Sequence, residues 1–180
     1  SVLDQSAAGV DQLLQSIEEQ AGRLATDKEL LLTLDALGRA EGSDWKTYRS
    51  LNVLYDAMAT AQETRGLSAV YLYDLSTGHF YASARWGDRQ IFSGDASDYF
   101  AECARPENAA RWRIARTLKT ALGDEAVPSA SFSKVIRGRY VLTLHVSVRS
   151  LQRQLQPRSA LSGSALFLLN SRGDLLDGQD

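Results

Sequence analysis

Few residues of this chain have side chains suited to chemistry, and their spacing does not assemble them into a catalytic or metal site. The 180 residues include two histidines, His79 and His145, and one cysteine, Cys103. The metal-binding patterns HExxH and CxxC do not occur, nor does the GxSxG turn that presents a nucleophilic serine. The carboxylates are dispersed, and no pair stands out as acid and base. We therefore expect no catalytic residue, no metal ion and no cofactor.

The middle of the chain is instead rich in aromatic and arginine side chains. Small-molecule pockets are commonly lined by aromatic rings with a few directed polar groups, and arginine is a natural partner for a carboxylate. The candidate ligand-binding residues are Tyr71, Tyr73, Tyr81, Trp86, Tyr99, Trp112, Arg113, Arg116 and His145. The alternative is that the rings are ordinary core residues and that the histidine lies on the surface or is a hydrogen-bonded core residue. The ligand-site hypothesis requires several of these side chains to converge on one cavity.

The composition restricts the class of protein. With 180 residues, of which 44% are hydrophobic and 23% charged, the chain suits one globular domain. Its formal net charge of -2 and pI of about 5.7 do not provide the basic surface that a nucleic acid requires, so no nucleic-acid partner is expected. A single cysteine excludes an internal disulfide and leaves the redox compartment open.

The elements that would position these residues begin with helices. Residues 1–25 form an amphipathic pattern that fits either a coiled coil or a helix lying on a sheet. Its apolar positions are Leu3, Ala7, Val10, Leu14, Ile17, Ala21 and Leu24. Thr26 and Glu29 then have the spacing of a capping box, which predicts the start of a second helix. A third helix is expected after Ser43 or Asp44.

From Gly66 the apolar period changes from that of a helix to that of a strand. Residues 70–82 predict a β-hairpin around the turn DLSTG, and residues 129–148 predict a second hairpin. We expect the basic tip of the second hairpin, at Arg137 and Gly138, to be solvated. A third hairpin is predicted at 165–176, around the turn NSRG.

Helices are predicted between the hairpins. Residues 95–122 are expected to be largely helical, with a break around Arg105 and Pro106, so that Trp112, Arg113 and Arg116 would share a helix. A shorter helical stretch is expected at 151–155. Antiparallel hairpins with inserted helices and a long N-terminal helix predict an α+β fold.

Four segments resemble the extracytoplasmic Cache domains, the PAS-like sensors of bacterial receptors. They are LATDKELLLTL (24–34), AVYLYDLSTGHFYAS (69–83), YVLTLHVSVRSLQRQL (140–155) and LFLLNSRGDLL (166–176). The resemblance implies three regions: a helical region over 1–64, a sensor core over 65–157, and a terminal hairpin over 158–180. That last hairpin would complete the sheet or open a truncated second lobe.

Among these sensors, the segment ARWRIAR (110–116) most resembles the sensor region of membrane-bound AraC/XylS-type transcription regulators. The resemblance implies an extracytoplasmic domain at the cell membrane, with membrane segments outside this chain. It would bind a small molecule or a partner protein, and the N-terminal helix could form a homodimer. Some Cache domains bind amino acids through a characteristic array of residues. Arg111, Trp112 and Arg113 match that array only in part, so the resemblance does not imply that this chain binds amino acids.

Two other functions fit the same residues. One is the sensor of a histidine kinase or chemoreceptor, which differs from the AraC-type regulator only in its output. The other is a cytoplasmic PAS-like dimerisation module without a ligand, in which the aromatic rings are core residues. An enzyme would require a catalytic site that the sequence does not contain.

Overall fold

The fold is given by a computed structural model that describes residues 2–39, 45–84, 96–115, 129–148 and 150–151. Four helices and five strands are present in these ranges. In chain order they are α1 (Val2–Thr26), α2 (Lys28–Gly38), α3 (Trp45–Gln62), β1 (Leu67–Asp74), β2 (Phe80–Ala84), α4 (Ala96–Ala104), β3 (Trp112–Ala115), β4 (Ser129–Ile136) and β5 (Tyr140–Ser147). The expected terminal hairpin at 165–176 lies outside the described residues, as does most of the helical stretch at 151–155. Of the described helices, none combines the length and the apolar character needed to span a bilayer.

The five strands form one antiparallel sheet in the order β2-β1-β5-β4-β3. The two hairpins expected from the sequence are β1–β2 and β4–β5, and they join side by side through β1 and β5. Both turns contain a glycine with positive φ, Gly78 at 73° and Gly138 at 65°, as tight hairpin turns require. The predicted α+β class is confirmed.

Helices α1, α2 and α3 cover one face of this sheet. The buried residues of α1 recur at the helical period and pack with apolar side chains of β1, β4 and β5. These α1 residues are Val10, Leu13, Ile17, Ala21 and Leu24. Of the two expectations for the N-terminal helix, the structure shows the helix that lies on a sheet over this stretch. A dimer contact through α1 stays a prediction.

The junction between α1 and α2 corrects the expected capping box. The residue that caps α2 is Asp27, whose Oδ1 accepts a hydrogen bond from the Leu30 amide at 2.7 Å. Thr26 is still helical, and its hydroxyl donates back to the Gly22 carbonyl at 2.9 Å. Asp27 therefore satisfies a free amide of the first turn, and the cap lies one residue later than expected.

The segment expected to be largely helical over 95–122 is confirmed over α4 and corrected over 112–115, while residues 95 and 116–122 lie outside the described residues. Helix α4 ends at Ala104, and Trp112 starts strand β3. Between them, Ala110 has a positive φ of 57° and donates its amide to the Ser133 carbonyl at 2.8 Å. This bond starts the pairing of β3 with β4, which a helix could not make.

The hairpin tip at residues 137–139 is tied to the rest of the fold and is not simply solvated. Arg139 donates from Nε and Nη2 to the carboxylate of Asp74, at 2.9 and 2.6 Å. Arg137 forms an ion pair with Asp35 on α2. In addition, the Tyr140 hydroxyl donates to the Leu34 carbonyl at 2.9 Å. These contacts fix α2 and both hairpin turns at one end of the sheet.

Candidate ligand-binding face

The sheet face opposite α1, α2 and α3 combines aromatic rings with hydroxyl groups. Because side chains alternate along a strand, the same strands that send leucine and valine to the helices send polar residues to this second face. We call it the polar face. Its residues are Tyr71, Tyr73, Arg113, Ser129, Ser131, Ser133, Thr143 and His145.

Helix α4 covers part of the polar face. The Phe100 ring is stacked on Tyr73 with centroids 4.7 Å apart, and it is fully buried. One residue earlier, the Tyr99 hydroxyl lies 2.9 Å from the Ser131 hydroxyl. Burial strongly raises the pKa of Tyr99, so this hydroxyl stays protonated. The helix therefore closes the aromatic end of the face and adds a hydrogen bond to its centre.

His145 lies at the middle of the polar face and is fully buried. Its Nδ1 is 3.2 Å from the Ser129 hydroxyl and its Nε2 is 3.2 Å from the Thr143 hydroxyl. The Tyr71 ring meets the imidazole edge-on at 4.8 Å. Burial lowers the pKa of His145 to about 3, so the ring is neutral. A neutral imidazole donates from one nitrogen and accepts at the other, which matches two hydroxyl partners.

Arg113 brings a positive charge to the edge of the same face. It lies on β3 directly opposite Ser131, and its Nη2 is 3.6 Å from Oε1 of Glu102 on α4. Its Nη1 is buried and has no hydrogen-bond partner among the described residues, and the same holds for the buried Ser133 hydroxyl. A buried polar group without a partner costs about 1–3 kcal/mol. The polar face thus keeps two unused hydrogen-bonding groups, one of them cationic.

Five of the nine sequence-predicted site residues come together here. Those five are Tyr71, Tyr73, Tyr99, Arg113 and His145. Tyr81 and Trp112 lie on the opposite face of the sheet and pack against the helical core. Trp86 and Arg116 lie outside the described residues.

The hydroxyl residues of the polar face were not among the sequence-predicted site residues. Ser129, Ser131 and Ser133 alternate along β4, and Thr143 pairs with Ser133 across the ladder. All four side chains are buried. Small hydroxyl residues at every second position of a strand are the signal that could have identified them, since a strand that faces an apolar core carries larger residues there.

Other clusters in the described part of the chain do not point to a site of another kind. No group of three His, Cys, Asp or Glu side chains is placed to hold a metal ion there. A cleft of about 460 Å³ lies between α1, α2 and α3, on the far side of the sheet from the polar face. Charged residues line its rim, including Arg23, Asp27 and Asp56.

No protein-family model matches this chain, and no curated protein is similar to it in sequence. Solved structures of similar fold exist, all at low sequence identity. The sensory domain of the Campylobacter jejuni chemoreceptor Tlp3, solved with isoleucine bound, has a TM-score of 0.57 and 14% identity, over 97% of this chain and 66% of that one. The ligand-binding domain of the Pseudomonas aeruginosa amino acid chemoreceptor PctC, in complex with GABA, has a TM-score of 0.56 and 14% identity, over 97% and 72%.

A third structure extends the likeness to another receptor class. The sensor domain of the Vibrio cholerae histidine kinase DctB has a TM-score of 0.56 and 15% identity, over 88% of this chain and 58% of that one. The present chain spans about two thirds of the Tlp3 domain and less of the DctB domain. At these identities the likeness establishes the fold, which is that of the Cache/PAS-like sensor domains.

Proposed function

We propose that this chain is the extracytoplasmic ligand-sensing domain of a bacterial transmembrane receptor, and that it binds a small molecule on the polar face. One observation carries the proposal: the buried Nη1 of Arg113 and the buried hydroxyl of Ser133 both lack partners among the described residues, on one face of the sheet. Folded proteins rarely leave such groups unsatisfied, and a bound water, ion or ligand is the usual partner where they do. The shared fold with receptor sensor domains supports the same reading.

The output of the receptor is proposed from the same comparisons. Tlp3 and PctC are chemoreceptors and DctB is a histidine kinase. These relatives in fold favour a chemoreceptor or kinase output over the AraC-type regulator expected from the segment ARWRIAR. We place the membrane segments outside the 180 residues, as the sequence suggested, and keep the homodimer through α1 as part of the proposal.

The proposed ligand carries a carboxylate. A guanidinium with a free N–H is the protein group best matched to a carboxylate oxygen, and hydroxyl groups beside it can donate or accept. Isoleucine and GABA, which are bound in two of the similar structures, both have this group. The neutral His145 and the serines then favour polar contacts with the rest of the molecule, while Phe100 and Tyr73 provide an apolar wall.

Thermal unfolding with a ligand panel tests this function. The panel would contain the L-amino acids, GABA and small mono- and dicarboxylates. We expect at least one compound to raise the Tm of the wild type, because a ligand that binds only the folded state stabilises it. Replacing Arg113 with alanine should weaken that binding at least about tenfold, as the loss of a charge-assisted hydrogen bond does.

The matched control is Arg111→Ala, which removes an exposed arginine two residues away. It should leave the ligand-induced shift unchanged. If no compound stabilises the wild type, or if Arg113→Ala binds as well as Arg111→Ala, the polar face is not the binding site. A reporter fused to the N-terminus of this domain in the full-length receptor would separate an extracytoplasmic sensor from the cytoplasmic PAS-like module.

A further inference from the structure

We propose that strand β3 couples the polar face to helix α1, through a hydrogen bond between Trp112 and Glu18. This inference rests on the proposed function, because it assigns a route by which occupancy of the polar face reaches the helix. It makes Trp112 a positioning residue that acts on α1 and does not touch the ligand.

The first observation is that neighbouring residues of β3 face opposite sides of the sheet. Arg113 is opposite Ser131 and lies on the polar face, while Trp112 is opposite Phe132 and lies on the helical face. The two Cα atoms are joined by one trans peptide, which fixes their separation at about 3.8 Å. A displacement of the Arg113 backbone is therefore also a displacement of Trp112.

The second observation is that Trp112 is attached directly to α1. Its indole Nε1 donates to Oε1 of Glu18 at 2.7 Å, across 94 residues of sequence. The indole ring also lies against Phe132, with centroids 5.5 Å apart. Phe132 is 4% exposed and belongs to the core that contains Ile17 and Ala21 of α1. The strand thus contacts α1 directly through one charged hydrogen bond, and it meets the core that α1 shares through the Phe132 ring of β4.

The third observation is that β3 has few attachments of its own. Within the described residues it pairs only with β4, at one edge of the sheet, and it is four residues long. On the polar face its charged attachment is the 3.6 Å contact from Arg113 to Glu102 on α4. An edge strand held by one ladder shifts more readily than the central strands, which are paired on both sides.

A change of partner at Arg113 provides the displacement. In the present state Glu102 is the carboxylate beside the guanidinium, and it also accepts from Arg105 at 2.9 Å. A carboxylate bound at Nη1 draws the guanidinium away from Glu102, which contacts Nη2. The two states then differ in where Arg113 is held, which is the differential interaction that any ligand-driven shift requires. Trp112 transfers this difference to α1.

Hydrogen exchange on the isolated domain tests the coupling without a ligand. Arg113→Gln removes the charge contact with Glu102 and should change the exchange of α1 amides around Glu18 at least threefold. In a Trp112→Phe background, which keeps an aromatic ring but lacks the N–H donor, the same Arg113→Gln change should leave α1 exchange within error. A Glu18→Gln background keeps an acceptor for the indole, so the response of α1 should be largely retained.

The matched control is Trp45→Phe, which changes an exposed tryptophan on α3 and should leave the response of α1 intact. The proposal is overturned if Arg113→Gln leaves α1 exchange unchanged in the wild-type background. It is equally overturned if the response persists in full with Trp112→Phe. If Trp112→Phe does not fold, Glu18→Leu provides a second test. It removes the exposed acceptor of the indole N–H and should likewise abolish the effect of Arg113→Gln on α1 exchange. The exchange experiment uses no ligand, so its outcome is independent of the ligand panel and the two proposals are tested separately.

Discussion

Asp74 is a buried carboxylate that joins the two hairpin turns of the sheet. It is 3% exposed, accepts two hydrogen bonds from Arg139, and accepts the amide and hydroxyl of Ser76 at 2.9 and 2.7 Å. Burial alone would raise the pKa of Asp74, but the bonds from Arg139 and Ser76 outweigh it and hold the pKa well below its usual value of 3.8. The carboxylate therefore stabilises the fold above that value, and this stabilisation is lost as the pH falls below it.

We expect Asp74→Asn to lower the free energy of unfolding at neutral pH by about 3 kcal/mol, because it leaves the Arg139 charge without its partner. Since the wild-type carboxylate is itself neutralised in acid, the difference between variant and wild type should shrink as the pH falls from about 5 to about 2. Urea unfolding at several pH values measures both effects. Asp35 pairs with Arg137 and is more exposed than Asp74. Asp35→Asn should therefore lower the free energy of unfolding much less. Equal losses in the two variants would contradict the role given to burial.

His145 is expected to remain neutral through the physiological range. Its pKa is lowered to about 3 by burial, so the folded protein takes up no proton there when the unfolded chain does, near 6.5. Because only the unfolded chain binds this proton, the free energy of unfolding falls as the pH falls from about 6.5 towards about 3. In NMR titrations the ring protons of His145 should not shift between about pH 8 and 5. A midpoint inside that window would mean that water reaches the imidazole and that the polar face is open.

At the scale of elements, the turn before β1 depends on one glycine. Gly66 has a φ of 92°, and a Cβ placed on it would lie 2.8 Å from Cδ1 of Leu13 in α1. Gly66→Ala should therefore cost about 2 kcal/mol, from backbone strain and from the displacement of a core leucine. Gly9→Ala is the control, because Gly9 lies in α1 with nothing within 4 Å of an added Cβ. It should raise stability by about 0.5–1 kcal/mol.

Chemical denaturation of the two alanine variants measures this contrast directly. A gain at both positions would show that the turn tolerates an L-residue and that Leu13 can move aside.

The two hairpins could be predicted from the sequence because their signals are local. Gly78 and Gly138 mark the turns, and regular alternation marks the strands on either side. Strand β3 could not be predicted in this way. Four residues are too short to show a period, and Trp112–Ala115 becomes a strand because β4 is available to pair with it. The same limit explains why Tyr81 and Trp112 are sequence-predicted site residues although they lie on the helical face, since only the register shows which face each residue takes.

For the molecule as a whole, the sheet separates the helical core from the polar face. Phe132 and Ser133 are neighbours on β4, 4% and 0% exposed, yet they lie on opposite faces. Within the described residues, two buried groups of the polar face have no hydrogen-bond partner, which lowers the stability of the ligand-free domain. Several members of the polar face, including Tyr71, Arg113 and His145, could be predicted from the sequence as candidate site residues. The serines could not, because their burial depends on α4 and on the pairing of β4 with β5.

A pair of substitutions on β4 tests this division. Ser133→Ala removes a buried hydroxyl that has no partner in the described structure, so the ligand-free domain should gain about 1 kcal/mol. Phe132→Ala removes a ring from the helical core and should cost about 3–5 kcal/mol. Thermal and urea unfolding give both values. A loss of stability with Ser133→Ala would mean that the hydroxyl has a partner in the folded domain, and the main support for the binding face would disappear.

The central ladder of the sheet joins segments that are far apart in the chain. Ser68 on β1 donates its hydroxyl to the His145 carbonyl on β5, across 77 residues. Closing so long a loop has a large entropic cost before any pairing compensates it, so we infer that both hairpins form first and that their docking limits the folding rate. During synthesis, the helices and the first hairpin are made before β5, so their apolar surfaces stay exposed until β5 is added. Until Ser147 has emerged from the ribosome, the sheet lacks its central strand β5, and the exposed apolar surface is prone to aggregate.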